Sequence, residues 1–169
     1  NSIEKTAQHF QLTETHVQKI ISQAKAKLLQ LRAQRPRPHL DDKILVDWNG
    51  LMIASLAFGA RVLKEPQYLT AAQRAVSFIE ANLTTPEGRL LHRFRDGQAG
   101  IDGNLEDYAF TIAGMIALYE AQGDCQYLES ACNLTKVMDD LFWDEPIGGY
   151  FFTANDSEQL LFRQKEIYD

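Results

Sequence analysis

The sequence predicts an all-α fold with small β-hairpins, built from one helix-pair unit that occurs twice. Three observations lead there. The chain repeats itself: Gln67-Tyr68-Leu69 followed by Ala72 returns as Gln126-Tyr127-Leu128 followed by Ala131, and Ile53-Ala54 returns as Ile112-Ala113, both at an offset of 59 residues. A period of that size marks a supersecondary unit stacked on its own copy. Within each unit an almost wholly apolar helical stretch precedes an amphipathic one. Each pair then runs into strand-like residues, Gly88-Arg89-Leu90-Leu91 and, as a looser echo, Gly149-Tyr150-Phe151-Phe152.

The elements follow in order. Ser2 is placed to cap a short helix reaching Phe10. Thr13 precedes a longer one in which Val17, Ile20, Ile21, Ala24, Leu28 and Leu31 recur at helical spacing. Arg35-Pro36-Arg37-Pro38 ends it, because proline lacks the backbone N–H and restricts the residue before it. From about Trp48 to Lys64, Leu51, Met52, Ile53, Ala54, Leu56, Ala57, Phe58 and Ala60 leave almost no polar face, which predicts a helix buried on all sides. From Pro66, suited to a first turn, Leu69, Ala72, Val76, Ile79 and Leu83 form a single stripe, which predicts a surface helix. Leu90 to Phe94 reads as a strand, and Asp96-Gly97 turns it into a hairpin between Arg89 and Ile101.

The second copy repeats this order. Ala109, Phe110, Ile112, Ala113, Met115, Ile116 and Leu118 predict a buried helix, and Leu128, Ala131, Leu134, Met138 and Leu141 a surface one. Phe142-Trp143-Asp144-Glu145-Pro146 closes it, with Trp143 and Tyr150 expected as core plugs. A second hairpin is expected from Tyr150–Phe152 and Leu160–Phe162 around Asn155-Asp156. Residues 1–43 are read as an N-terminal helical segment with a Pro-rich connector, and 44–169 as the two repeats. Alternating buried and exposed helices build an inner and an outer layer. An open solenoid shares that local pattern, but the hairpins between units suggest a built rim and favour an α/α toroid, here partial.

Bulk properties narrow the class. The 169 residues are 45% apolar and 24% charged, ordinary for a globular protein. No apolar run reaches the roughly 18 residues of a membrane span, so no membrane partner is expected. Cys125 and Cys132 are the only cysteines, which fits a reducing, cytoplasmic setting, and no His/Cys cluster has zinc spacing. Neither a metal nor a cofactor is expected. Residues 1–43 carry eight Lys/Arg against four Asp/Glu, and the remainder nine against nineteen. The bases lie along an amphipathic helix with little aromatic interleaving, which reads as a solvated face and not as a nucleic-acid site. The chain starts at Asn1 with no Met and no charged-then-apolar leader, so it reads as a fragment.

The polar residues concentrate where the long inter-pair links enter the buried helices. One rim collects Asp47-Trp48-Asn49, Asn104-Leu105-Glu106-Asp107-Tyr108, and His92 and Arg93 of the hairpin. Helix N-termini aim unpaired N–H groups at that rim. Carboxylates, amides and aromatic faces suit a hydroxyl-rich ligand such as a sugar. On this reading Asp107 or Glu106 acts as acid/base, Trp48 and Tyr108 stack, Asn49 and Asn104 take hydroxyls, and Asp47, His92 and Arg93 complete the binding set. The plainer reading makes Asp47 and Asn104 helix caps, Glu106 and Asp107 dipole-complementing residues, and His92 a surface residue.

The run Arg35-Pro36-Arg37-Pro38, Asp41-Asp42-Lys43-Ile44-Leu45 and Trp48-Asn49-Gly50-Leu51-Met52 resembles the spermatogenesis-associated, thioredoxin-domain-containing protein family. So do Asp102-Gly103-Asn104-Leu105-Glu106-Asp107-Tyr108-Ala109, Phe142-Trp143-Asp144, Gly148-Gly149-Tyr150-Phe151-Phe152 and Lys165-Glu166-Ile167-Tyr168-Asp169. The motifs span most of residues 35–169. The resemblance implies a thioredoxin-like domain followed by an (α/α)6 toroid similar to N-acylglucosamine 2-epimerases and six-hairpin glycosidases. It makes this chain the opening portion of a carbohydrate-active toroid, an epimerase-like isomerase or a glycoside hydrolase. The catalytic histidines of true epimerases find no counterpart in His9, His16, His39 or His92. The alternative is a non-catalytic scaffold that binds a protein partner or its own thioredoxin-like domain. The remainder of the toroid, a carbohydrate ligand and a second copy in a homo-oligomer are the other partners expected.

Overall fold

The computed structural model describes residues 2–158 and 161–165. The chain divides into two compact units, residues 1–41 and 42–169.

In the first unit, α1 (Ile3–Phe10) and α2 (Glu14–Ala33) are capped by Ser2 and Thr13, whose hydroxyls accept the N–H groups of Lys5 and His16. Ala7 and Val17 are its buried apolar residues.

The second unit contains α3 (Val46–Leu63), α4 (Pro66–Asn82), α5 (Leu105–Gln122) and α6 (Cys125–Phe142). Three short strands accompany them: β1 (Ile44–Leu45), β2 (Leu91–Arg95) and β3 (Gln98–Asp102), antiparallel in the order β1-β2-β3. Ile44 pairs with Phe94 and Leu45 with Arg93, while Arg95 pairs with Gln98 around the turn. Asp96 and Gly97 both take positive φ, 51° and 75°, the pair of left-handed residues that a two-residue hairpin needs.

Helices α3 and α5 run parallel, flank to flank. Their approach is close enough that a Cβ on Gly50 would lie 2.5 Å from the Phe110 carbonyl carbon, and one on Gly114 2.9 Å from the Gly50 carbonyl oxygen. Farther along, Arg61 meets Glu120 at 3.2 Å. Outer helices α4 and α6 pack on α3 and α5 respectively. The core between the layers holds Ile53, Ala57, Val76, Ile79, Leu83, Leu90, Met115, Leu118, Leu134 and Phe142. The order of the two helix pairs and the first hairpin are as expected.

Three expectations change. Helix α3 is not covered on all sides: Leu51, Met52, Phe58 and Val62 are exposed, because among the described residues α3 has an inner-helix neighbour, α5, on one flank only. Among the described residues the second hairpin shows no ladder. Trp143 and Tyr150 make an isolated bridge, and Phe152 N–H donates to the Gln164 carbonyl, while Leu160 lies outside the described residues. Trp143 is no core plug but an exposed ring, set edge-on to Tyr150 at 5.1 Å, with its Nε1–H donated to Glu145. Within this unit Asp42 pairs with Arg95 of β2 at 2.9 Å. The Glu166–Asp169 part of the C-terminal motif also lies outside the described residues. No helix among the described residues is long and apolar enough to cross a membrane.

Candidate functional site

The site forms where β2 crosses the first turns of α3 and α5. Asn104 is the N-cap of α5. Its Oδ1 accepts the N–H groups of Glu106 (3.0 Å) and Asp107 (3.3 Å), while Asp107 Oδ2 accepts the Asn104 N–H at 2.8 Å, completing a capping box. The cap reading of Asn104 therefore holds locally. The Asp107 carboxylate does more than cap. Its Oδ1 accepts the Asp47 N–H across to α3 at 3.0 Å, and both oxygens lie 3.0 Å from His92 Nδ1. One carboxylate thus ties two inner helices and the hairpin together.

Asp107 has no exposed surface. Burial pushes its carboxyl above the usual carboxylate range, opposed by the Asn104 N–H and by His92. Asp47 is also buried, and its Oδ1 accepts the Trp48 N–H at 2.7 Å. Asp47 sits inside the first turn of α3, whose N-cap is Leu45. It is therefore not the cap that its residue type suggested. Donor atoms of Asp47, His92 and Asp107 all lie within 4.8 Å of one another.

The other expected residues divide. Trp48, next to Asp47 in the chain, is 69% exposed. Asn49 donates its amide to the Leu45 carbonyl at 2.7 Å. Glu106 is half-buried in the first turn of α5. Tyr108 cannot stack on a ligand: it is 1% exposed, its ring lies 5.3 Å from that of Phe142, and its hydroxyl accepts the Leu90 N–H at 3.0 Å. Burial pushes its phenol up, a shift the Leu90 N–H opposes. Arg93 and His92 are consecutive on a strand and face opposite sides, so Arg93 does not join the cluster. Asp107 as an acid/base that meets substrate is likewise corrected, because its oxygens are enclosed and already taken.

The residue undervalued in the sequence is His92, counted there in the binding set with a surface side chain as its plainer reading. Strand alternation gives the signal that could have found it. His92 shares a face of β2 with Phe94, which packs on the core, so the histidine points inward. Opposite His92, between the register pairs Leu91–Asp102 and Arg93–Gly100, stands Ile101 with φ 65°, a left-handed backbone that a β-branched residue rarely adopts.

Chemically, the arrangement is a buried carboxylate gripping one nitrogen of an imidazole, with a second carboxylate nearby and an exposed indole at the edge. No protein-family model matches the chain. Among curated proteins it is 37% identical over 159 residues to spermatogenesis-associated protein 20 of Homo sapiens, covering 89% of this chain and 20% of that protein. The rat protein of the same name is 36% identical over 160 residues, again with 89% and 20% covered. The chain is homologous to spermatogenesis-associated protein 20. It spans about a fifth of the length of these homologues. An uncharacterised protein of Caenorhabditis elegans is 33% identical over 174 residues, covering 98% of this chain and 24% of that protein.

Solved structures place this chain in a fold. Cellobiose 2-epimerase from Spirochaeta thermophila superposes with TM-score 0.59 at 21% identity, over 65% of this chain and 28% of that one. The α-mannanase of family GH76 from Bacteroides thetaiotaomicron does so with TM-score 0.57 at 20% identity, over 68% and 33%. At such identities the likeness shows the fold alone. That fold is an α/α toroid, of which this chain holds two helix pairs.

Proposed function

We propose that this segment contributes the opening part of a carbohydrate-acting toroid, epimerase-like or glycosidase-like, and that the rim formed by α3, α5 and β2 supplies part of its sugar site. The observation that carries the reading is the meeting of Asp47, His92 and Asp107 within 4.8 Å, with the exposed Trp48 next to Asp47 in the chain. A ring face beside hydrogen-bonding groups is the combination that a sugar requires, with the apolar side of the ring stacked and its hydroxyls paired. The folds shared with a cellobiose epimerase and a mannanase support it, although neither activity transfers by fold. In this reading Trp48 stacks, Asn49 and Asp47 take hydroxyls, and Asp107 holds the frame.

Calorimetric titration of this chain and of the full-length protein with mono- and disaccharides tests it. Binding by the full-length protein that weakens at least about tenfold with Trp48→Ala supports the reading, a loss of the size an aromatic contact carries. No binding to the full-length protein, or binding indifferent to Trp48→Ala, sinks it.

One observation favours the scaffold alternative, in which the partner is a protein or an attached thioredoxin-like domain. Leu51, Met52, Phe58 and Val62 form an uncovered apolar flank on α3. A stoichiometric partner co-purifying with the full-length protein, together with no sugar binding, decides for it.

A further inference from the structure

We propose that His92 is the group of this rim that exchanges a proton with a bound hydroxyl, and that Asp107 is its positioning residue. The sugar as source of that hydroxyl rests on the reading above. The state of the histidine does not.

Asp107 is pinned from two sides by the backbone N–H groups of Asp47 and Asn104, at 3.0 and 2.8 Å. These hold its plane fixed, and the Asn104 N–H, with His92, opposes the upward push of burial; in the ionised form that they favour, the carboxylate can only accept. The third group on it is His92 Nδ1, equidistant at 3.0 Å from the two oxygens. Nδ1 therefore carries the ring hydrogen, and in the neutral imidazole Nε2 is left with a bare lone pair. Exposure points the same way. The His92 side chain is 22% exposed and that of Asp107 is 0%, so the imidazole is the part of the pair that solvent and ligands reach.

The proton step needs no further reactant. The Nε2 lone pair takes the proton of a hydroxyl hydrogen-bonded to it, leaving an alkoxide on the ligand and an imidazolium on the ring. The imidazolium keeps its Nδ1–H on Asp107, whose negative charge balances it, with Asp47 adjacent. Return of the proton from Nε2 restores both partners. The buried carboxylate sets tautomer and orientation and stabilises the charged ring, the division of labour that a histidine base requires. Lying opposite the left-handed Ile101, His92 is held in a segment whose strained backbone fits a functional position.

The decisive measurement is the ring tautomer of His92, read from long-range ¹H–¹⁵N correlations of the labelled chain near neutral pH. The expected result is the Nδ1–H form in the wild type and the Nε2–H form in Asp107→Asn, whose amide can donate to Nδ1. An Nε2–H ring in the wild type overturns the proposal, and so does a ring unaffected by a folded Asp107→Asn. The wild-type spectrum decides even where that variant fails to fold. Carbethoxylation by diethyl pyrocarbonate, mapped by mass spectrometry, reads the same lone pair. His92 should react at least roughly tenfold faster in the wild type than in Asp107→Asn, since the wrong tautomer costs a histidine base far more than that. Equal rates count against the proposal. Adding a mono- or disaccharide to the full-length protein separates the two readings. Protection of His92 supports both. The expected tautomer without protection by any sugar retains the dyad and removes the sugar.

Discussion

The N–H of Asp47 donates to Oδ1 of Asp107 at 3.0 Å, joining the first turns of two inner helices that stand a whole repeat apart. That bond makes Asp107 a structural keystone before it is anything else, and its buried carboxyl has a pH signature. The folded state holds the carboxyl proton more tightly than the unfolded chain does. Its contribution is therefore complete below the ordinary value of 3.8 and is lost as pH rises through the raised one. The unfolding free energy of the wild type minus that of Asp107→Asn should fall as pH increases from 3.8 upward. Denaturant melts at several pH values check it, and a difference that stays flat or grows refutes the assignment.

Gly50 lies at a close approach between α3 and α5. A Cβ there would stand 2.5 Å from the Phe110 carbonyl carbon and 2.7 Å from the Thr111 nitrogen, both backbone atoms that cannot swing away. Gly50→Ala should destabilise by about 1–3 kcal/mol or more. Gly59→Ala on the same helix meets only Tyr68 Cδ2 at 3.6 Å. It should stabilise by up to about 1 kcal/mol through helix propensity. Thermal or denaturant melts of the two variants read the opposite signs.

Ile101 is 58% exposed, so its side chain contributes little burial, while its φ of 65° carries a backbone penalty. Ile101→Gly should be neutral or stabilising, by up to roughly 1–2 kcal/mol. An exposed isoleucine in ordinary strand geometry would give the reverse sign, because glycine weakens strands. Equilibrium unfolding distinguishes the two.

Asn104→Ala removes the acceptor for the Glu106 and Asp107 N–H groups. A loss of about 0.5–2 kcal/mol is expected, with Asn104→Asp or Asn104→Ser retaining most of the stability. The same variant should also loosen the Asp107 side chain, which is visible as a change in the His92 ring resonances.

Local features were readable because their causes are local. The Asp96-Gly97 turn, the Ser2, Thr13 and Asn104 caps and the apolar periods of α4 and α6 each act within a few residues, and each formed as the pattern implied. Misreadings arose where a long-range neighbour decides the outcome. The near-continuous apolar run of α3 cannot say which flank will be covered, and Leu51 and Met52 remain exposed. Tyr108 looked like a rim aromatic because it adjoins Asp107, yet the helical twist turns it beneath Leu90 and against Phe142. His92 was open to a surface reading because its partner is absent from its own strand.

The sequence by itself determined the repeat, the order of elements and the division into inner and outer helices. Hydrophobic period and turn chemistry are written within single segments, and two copies of the same message reinforce it. Only the tertiary structure decided which polar residues meet. Asp107 is 15 residues from His92 and 60 from Asp47, and their contact depends on strand register and on how closely α3 and α5 approach. Those quantities belong to packing between segments, where a glycine such as Gly50 sets the spacing.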